Sequence, residues 1–393
     1  MGLTAGGGGH HRITGQQRRL PRTEHSGRRR ESLTMTLRHT DMQVLWLATV
    51  THHLGVGMQQ VLLGWVVLAL TDSESMVGAV FAIRSAPNLV VGFAAGTLTD
   101  RCDRRRLMRL AAFGKAGVSL VVAWLAYTEL LTVRDLLLCT GALGMWQALE
   151  MTARQAYVVD TLGVHRAVQG IALISLAQRF GGVIGSLIAG ATLTWLGVAA
   201  AFLVMGTSFG IGACLLYALR HQGIAAPRGR EPIRQSLVTY LRALRTNLDV
   251  RSLMISTAAA ELFGFSHQVM LPILAKQVLH VGADGLGLLT AFRFLGGVLG
   301  VGSLAMLSGI QRRGRMLLVV LAFFGGGQVV LACAPAFWFA AVCVIFINIM
   351  AAATDVLHQT LLQGSVANEL RGRAMGSWII GTGIAPIGHL EVG

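Results

Sequence analysis

Long apolar runs recur along this chain, and most of them approach the length at which an α-helix crosses a lipid bilayer. About twenty residues, each rising 1.5 Å, are needed to span about 30 Å of hydrocarbon. Of the 393 residues, 53% are hydrophobic and only 13% are charged, a balance that the surface of a water-soluble domain of this size could not tolerate. The sequence therefore predicts an all-α membrane protein with many spans.

The predicted helices form two sets separated by a polar segment. The first set lies near residues 42–70, 76–99, 107–127, 135–157, 167–193 and 195–219. The second lies near 251–279, 285–308, 316–333, 336–362 and 374–393. The sequence thus predicts a flexible basic tail (1–41), a six-helix bundle (42–219), a cytoplasmic interdomain loop (220–250) and a second helical bundle (251–393).

Arginine positions predict the orientation of the chain in the membrane. One side holds Arg101, Arg104, Arg105, Arg106, Arg109, Arg166, Arg228, Arg230, Arg234, Arg312, Arg313, Arg315, Arg371 and Arg373. The alternate loops hold Asp72, Glu74, Glu129 and Asp284, with Arg134 and Lys276 as the main exceptions. Because cytoplasmic loops carry an excess of Lys and Arg, the first side and the amino terminus are predicted to lie in the cytoplasm.

Several other classes of protein lack support in the sequence. The net charge of +15 resides in short loops and a tail, not on one folded face, so the lipid bilayer is the predicted partner and nucleic acid is not. The five cysteines show no paired spacing, and Gly114-Lys115-Ala116 lacks the remaining residues of a phosphate-binding loop. No enzyme activity, cofactor or metal site is predicted. The amino-terminal tail has no secretory signal, and Met1 and Met35 are equally supported as the natural start.

The two helix sets are related by an internal repeat. A displacement of 209 residues brings Gly55 onto Gly264, Arg84 onto Arg293 and Arg104 onto Arg313, in one register across three helices and their loops. The first half supplies six helices, whereas the second reaches only its fifth by Gly393. We therefore expect six plus five helices here, with a twelfth missing from a truncated record or an incomplete gene product.

The stretch 96–107, GTLTDRCDRRRL, resembles the loop between the second and third helices of the major facilitator superfamily. The resemblance implies a monomer with two repeat-related bundles that transports a small molecule by alternating access. Asp103 stands where that pattern has Gly. The segment 371–376, followed by Gly383, Pro386 and Gly388, resembles the branch of the superfamily that includes the bacterial enterobactin exporter.

Five ionisable residues lie about ten positions into their predicted helices, near the membrane midplane: His52, Arg84, Arg179, Glu261 and Arg293. Such groups are costly in hydrocarbon and are functional candidates. The family resemblance implies a substrate cavity at this depth, so these residues are the predicted pathway for substrate and protons. Glu261 is the predicted proton carrier, because its charge can depend on whether cargo occupies a nearby Arg. The alternative is that the arginines snorkel, or pair with Glu261 to hold helices together.

A second predicted set forms a conformational gate: Asp100, Arg101, Arg104, Glu150 and Arg154. Glu150 and Arg154 are one helical turn apart and could be an ordinary i,i+4 pair. The family resemblance implies instead that Glu150 joins Arg101 or Arg104 of the loop in a charge network. It also implies that Asp100 meets the start of the eleventh helix when the cytoplasmic side closes, which would stabilise the outward-open state.

These observations favour a secondary transporter of the cytoplasmic membrane. We expect it to export a small organic molecule in exchange for protons, because no ATPase site is visible. Midplane arginines favour an anionic or catechol-bearing cargo such as a siderophore, whereas Glu261 would equally suit a cationic drug-like cargo. The alternative is a non-transporting membrane sensor or an inactive truncated fragment.

Overall fold

The computed structural model describes residues 40–99, 102–221, 247–306 and 312–365, and every regular element in these ranges is helical. The first half contains α1 (Thr40–Thr71), α2 (Glu74–Thr99), α3 (Arg104–Tyr127), α4 (Val133–Leu162), α5 (Val164–Leu215) and a 3-10 turn (Leu216–Ala218). The second half contains α6 (Leu248–Ala259), α7 (His267–Ile273), α8 (Ala283–Met306), α9 (Arg313–Ala332) and α10 (Phe337–Gly364). The π-helical segment Ala260–Gly264 and a short turn join α6 to α7, and a second π-helical segment, Leu274–Val278, continues the passage after α7.

Helix α5 supplies two of the predicted membrane passages. Its 52 residues would extend about 78 Å as a straight helix, far more than the hydrocarbon thickness. The helix bends at Gly197, whose φ of 81° and ψ of −178° lie in a region open essentially to Gly alone. The two arms, 164–196 and 198–215, are therefore the predicted fifth and sixth helices.

The helix boundaries follow the internal repeat. The displacement of 209 residues carries the first residue of α2, Glu74, onto the first residue of α8, Ala283. It also carries the start of α3, Arg104, onto Arg313, the start of α9. The chain therefore consists of two helical halves with the same order of elements, as the sequence predicts.

Asp103 has a local structural role that explains why an acidic residue suits this position. It is the N-cap of α3, and its Oδ1 accepts a hydrogen bond from the backbone N–H of Arg105 at 2.9 Å. Partial burial favours a higher pKa for Asp103. The backbone and side-chain hydrogen bonds from Arg105 outweigh that effect and hold the pKa below its ordinary value.

Seven segments of the described chain are long and apolar enough to span a membrane. They are Thr40–Thr71, Arg104–Tyr127, Gln169–Ala218, Leu248–Val278, Ala283–Ser303, Arg313–Ala332 and Phe337–Leu362. Helix α4 is also of spanning length, but it carries charged residues, and two of them, Glu150 and Arg154, are buried inside the first half. These charged groups of the first half thus face its interior. Many large apolar side chains on α3 and α5, and on α9 of the second half, face outward.

Some predicted features fall outside the described residues. These are the basic tail, most of the interdomain loop, Asp100 and Arg101 of the predicted gate, and the predicted eleventh helix.

Candidate functional site

The two halves meet along α5 and α8, and small residues allow this close approach. A Cβ at Gly287 of α8 would lie 2.6 Å from the carbonyl oxygen of Ser186 on α5. A Cβ at Gly182 of α5 would lie 2.5 Å from the ring of Phe294 on α8. Side chains are therefore excluded at both positions, and the two backbones pack directly against each other.

A cavity of about 260 Å³ lies between the halves, next to this contact. Its walls come from α1, α5, the segment around α7, α8 and α10. The lining residues are His53, Ser175, Gln178, Arg179, Phe265, Gln268, Arg293, Phe294, Asn348, Ala351, Ala352 and Asp355. The cavity thus combines two cations, one carboxyl and several amides with aromatic surface, the mixture expected for a small polar organic ligand.

Two of the predicted pathway residues, Arg179 and Arg293, come from opposite halves and line this cavity. The guanidinium of Arg179 on α5 lies against Gly297 of α8, where any side chain would collide with it. Arg293 is 8% exposed, and its Nη2 donates a hydrogen bond across the interface to Oε1 of Gln60 on α1. Both arginines therefore interact with the opposite half, so their surroundings change if the halves move apart.

Two carboxyl groups lie near the arginines. Asp355 of α10 lines the cavity and interacts electrostatically with Arg179. The predicted proton carrier Glu261 is half-buried in the π-helical segment Ala260–Gly264 and interacts electrostatically with Asp355. Glu261 and the predicted Arg84 are not among the described lining residues, although Arg84 lies within electrostatic range of Arg293.

The space between the halves narrows toward the end of the molecule that carries Asp72 and Lys276. There a void of only about 10 Å³ remains between Gln60, Gln268 and Arg293, which is room for about one water molecule. Beyond it, a Cβ at Gly64 of α1 would collide with Pro272 of α7. The cavity is therefore closed at this end.

The prediction that His52 lines the cavity is wrong. Its Nε2 lies 2.8 Å from Oε2 of Glu150 and 2.8 Å from Nζ of Lys115, inside the first half. The neighbouring residue His53 lines the cavity instead. The physical reason is that successive residues of an α-helix point about 100° apart, so α1 presents one histidine to each environment.

Of the two predicted roles of Glu150, the structure shows the i,i+4 pair with Arg154, whereas Arg104 contacts other partners and Arg101 lies outside the described residues. Glu150 pairs with Arg154 and with Lys115. Arg104 donates hydrogen bonds to Asp160 and to the carbonyl oxygen of Ala156, near the end of α4. Glu150 lies ten residues earlier on the same helix, about 15 Å deeper, which is beyond the reach of an arginine at the start of α3.

Sequence reasoning missed Lys115 and Asp355 as polar residues of the membrane interior. Each interrupts a long apolar run, and this is the signal that could have identified them. Lys115 has 0% exposure inside the first half, which its position in an apolar helix does not by itself predict. His53 could not be distinguished from His52 because adjacent residues have the same depth.

A multi-pass helical protein whose two repeat-related halves enclose a polar cavity at mid-depth has the architecture of a secondary transporter, not of an enzyme. The family model of the Major Facilitator Superfamily matches residues 45–388. The chain therefore belongs to the Major Facilitator Superfamily, which confirms the family and the fold expected from the sequence.

Known proteins similar to this chain include a staphyloferrin A transporter and an enterobactin exporter. The Staphyloferrin A transporter of Staphylococcus aureus is 21% identical over 339 residues, which cover 86% of this chain and 85% of that protein. The Enterobactin exporter EntS of Citrobacter koseri is 25% identical over 359 residues, with 88% and 83% covered.

Solved structures share the fold at lower identity. A bacterial homolog of the human lysosomal transporter Spinster, in an inward-facing and unoccupied conformation, matches with a TM-score of 0.65 and 16% identity. That match covers 89% of this chain and 81% of the homolog. The nucleoside transporter NupG matches with a TM-score of 0.69 and 13% identity, covering 90% of each chain.

Proposed function

We propose that this protein exports a small anionic organic metabolite of the siderophore class from the bacterial cytoplasm in exchange for protons. The observation that carries the proposal is the cavity in which Arg179 and Arg293 approach from opposite halves. Two guanidinium groups attract and orient carboxylate or phenolate groups strongly in a site that is shielded from water. The names of the two relatives, which concern staphyloferrin A and enterobactin, agree with a cargo of this class.

The carboxyl groups can link cargo binding to proton binding, as an exchanger requires. An ionised carboxylate only accepts hydrogen bonds, and it suits the hydroxyl groups of a catechol or a hydroxy acid. A proton on Asp355 turns one carboxylate oxygen into a donor and lowers this acceptor capacity, so proton and cargo compete for the same group, and Glu261 acts on that competition through its electrostatic interaction with Asp355. A cargo that combines anionic groups with hydroxyl donors therefore fits the arginines and the carboxyls together.

The closed end of the cavity indicates which side of the membrane the cavity must open to during transport. In the orientation predicted from the arginine positions, the end with Asp72 and Lys276 faces the outer side of the membrane. In this orientation the structure is closed to the outside. Alternating access then requires the contacts at this end to break while the halves close on the cytoplasmic side.

Transport in liposomes tests the proposal. The purified protein is reconstituted, and an imposed pH gradient drives movement of iron-free enterobactin or staphyloferrin A. We expect transport that follows the gradient and stops when a protonophore collapses it. Asp355→Asn should weaken the dependence on the gradient, whereas Arg134→Gln, a change at an exposed arginine far from the cavity, should not. Transport that is indifferent to the protonophore would exclude proton exchange.

A further inference from the structure

A second polar centre lies inside the first half, away from the cavity between the halves. It contains His52, Lys115, Glu150 and Arg154, each at most 3% exposed. Burying charged groups costs several kcal/mol, and apolar residues of similar size would often stabilise the same space better. The cluster therefore calls for an explanation other than packing.

The atoms of this cluster form a closed hydrogen-bonded arrangement. Nζ of Lys115, Nε2 of His52 and Oε2 of Glu150 lie 2.8 Å from one another in all three pairs. Nζ of Lys115 also donates to Oε1 of Gln147, and Arg154 donates to the second oxygen of Glu150. The amine, the imidazole and the carboxylate are thus all within hydrogen-bond distance of one another. A proton can therefore pass between neighbouring atoms of the cluster.

In one protonation state, every N–H donor of Lys115 has an acceptor. A charged Lys115 has three N–H donors, and three acceptors surround it: Gln147, Glu150 and Nε2 of His52. His52 must then be neutral with its hydrogen on Nδ1, and this buried atom has no hydrogen-bond partner among the described residues. With Arg154 also charged, this state carries one net positive charge inside a medium that disfavours it.

Loss of one proton gives a second state that is neutral and still hydrogen-bonded. The Nδ1–H bond of His52 breaks and its proton leaves the cluster, while Nε2 takes a proton from Nζ of Lys115. The neutral amine keeps two donors, for Gln147 and Glu150, and its lone pair accepts from Nε2–H of His52. The first state gives every donor of Lys115 an acceptor, whereas the second carries no net charge, so one proton separates the two arrangements.

We propose that this cluster is a proton-binding site, which holds one exchangeable proton and exchanges it through Nδ1 of His52. The exit leads toward the cavity between the halves. The ring of His53 lies 5.3 Å from that of His52, and His53 lines the cavity. Nδ1 of His53 donates to the carbonyl oxygen of Thr49 at 3.1 Å, which leaves its Nε2 as a proton acceptor.

The surroundings contain no further acid among the described residues that pack against the cluster. Arg84 on α2 and Arg154 on α4 are cations that interact electrostatically with Lys115. Helix α5 contributes Phe209, whose ring centroid lies 5.5 Å from Nζ of Lys115, close enough for a cation–π interaction. A change of charge in the cavity therefore shifts the occupancy of the proton site; that role in coupling rests on the proposed function, whereas the site itself does not.

Histidine NMR tests the site without any transport measurement. The full chain is labelled with ¹⁵N-histidine and reconstituted in liposomes, and the His52 signals are assigned by their loss in His52→Gln. As pH rises, we expect the hydrogen of His52 to move from Nδ1 to Nε2 in one step without an imidazolium form. Ordinary titration of a histidine would instead start from a form with both nitrogens protonated.

Two variants separate a proton site from a merely structural cluster. Lys115→Met removes the proton donor but keeps the neutral Glu150–Arg154 pair, so the protein should fold and His52 should keep one tautomer at all pH values. His53→Gln should leave the equilibrium switch of His52 in place. The proposal is wrong if His52 of the unmodified protein keeps one tautomer over the whole pH range in which it stays folded, or if the switch persists in Lys115→Met.

Discussion

Lys276 of the second half reaches Asp72 of the first half, with its Nζ 2.8 Å from Oδ1 of the carboxylate and 3.2 Å from the carbonyl oxygen of Leu68. This ion pair joins the halves at the closed end of the cavity. The Asp72 side chain is 84% exposed, so water and salt screen the pair and its contribution is modest. We expect it to act as a latch between two conformations and to add little to the stability of either half.

Acidification should open this latch. The hydrogen bond from Lys276 holds the pKa of Asp72 below its ordinary value of 3.8. A depressed pKa means that the contact contributes fully above the ordinary value and is lost as pH falls through the lowered value. Asp72→Asn mimics the protonated state at neutral pH. We expect it to lower the population closed at this end by less than about tenfold, with a smaller effect at high salt.

Spin labels near the latch measure that population. Positions Leu70 and Val278 are exposed and flank the ion pair, so cysteines there, in a chain without native cysteines, carry the labels. The distance between the labels should lengthen in a larger fraction of Asp72→Asn molecules. An unchanged distribution would show that the ion pair does not bias the conformation.

Close packing inside the first half predicts a strong effect of one methyl group. A Cβ at Gly185 of α5 would lie within 2 Å of the carbonyl oxygen of Leu54 on α1. We expect Gly185→Ala to destabilise the protein by about 1 to 3 kcal/mol, because backbone must shift. Gly210 provides the matched control, since a Cβ there meets nothing within 4 Å. Gly210→Ala should be neutral or stabilise by up to about 1 kcal/mol.

Thermal denaturation of the two purified variants in detergent measures the difference. Equal melting temperatures for Gly185→Ala and Gly210→Ala would contradict the close contact between α1 and α5.

The orientation in the membrane predicts opposite labelling of two cysteines. Cys102 precedes α3 on the arginine-rich side, whereas Cys333 follows α9 on the other side and is exposed. In variants that retain only one of them, an impermeant maleimide added to intact cells should label Cys333 and not Cys102. Inverted membrane vesicles should give the reverse result. Labelling of Cys102 from outside would overturn the predicted orientation.

Arg293 should matter for cargo affinity more than for folding. Hydrogen bonds to a charged group contribute about 1.5 to 3 kcal/mol, so Arg293→Gln should weaken binding of an anionic cargo by roughly ten- to a hundredfold. Gln keeps most of the packing and can still hydrogen-bond to Gln60. Binding to the purified protein is compared with Arg134→Gln. Unchanged affinity with reduced folded protein would instead assign Arg293 a structural role.

The fold was predictable because it rests on periodic signals. Apolar runs placed the helices, and the repeat carried Glu74 onto Ala283 and Arg104 onto Arg313 in the observed helix starts. One local difference is the continuity of α5, where Gly197 bends a single helix that the sequence divides in two. The length of an apolar run is a local property that can be read directly from the sequence. Because this chain contains many such runs, an error in one of them does not change the predicted fold.

The side-chain partners were less predictable because they depend on helix rotation and packing. Depth along a helix predicts that Arg179 and Arg293 lie near the midplane, and both line the cavity, but depth does not tell which of His52 and His53 faces it. Lys115 and Glu150 are 35 residues apart in sequence and meet only when α3 packs against α4. A single sequence contains no signal that predicts this contact between the two helices.

Crosslinking of the closed end tests the central claim, that cargo crosses by alternate opening of the halves around the cavity. Cysteines replace Asp72 and Lys276 in a chain without other cysteines, and a short cleavable bifunctional maleimide joins them in reconstituted protein. If cargo crosses by alternate opening of the halves, the crosslinked protein should bind cargo but transport none, and cleaving the linker should restore transport. Transport at the normal rate while the two residues remain joined would contradict it.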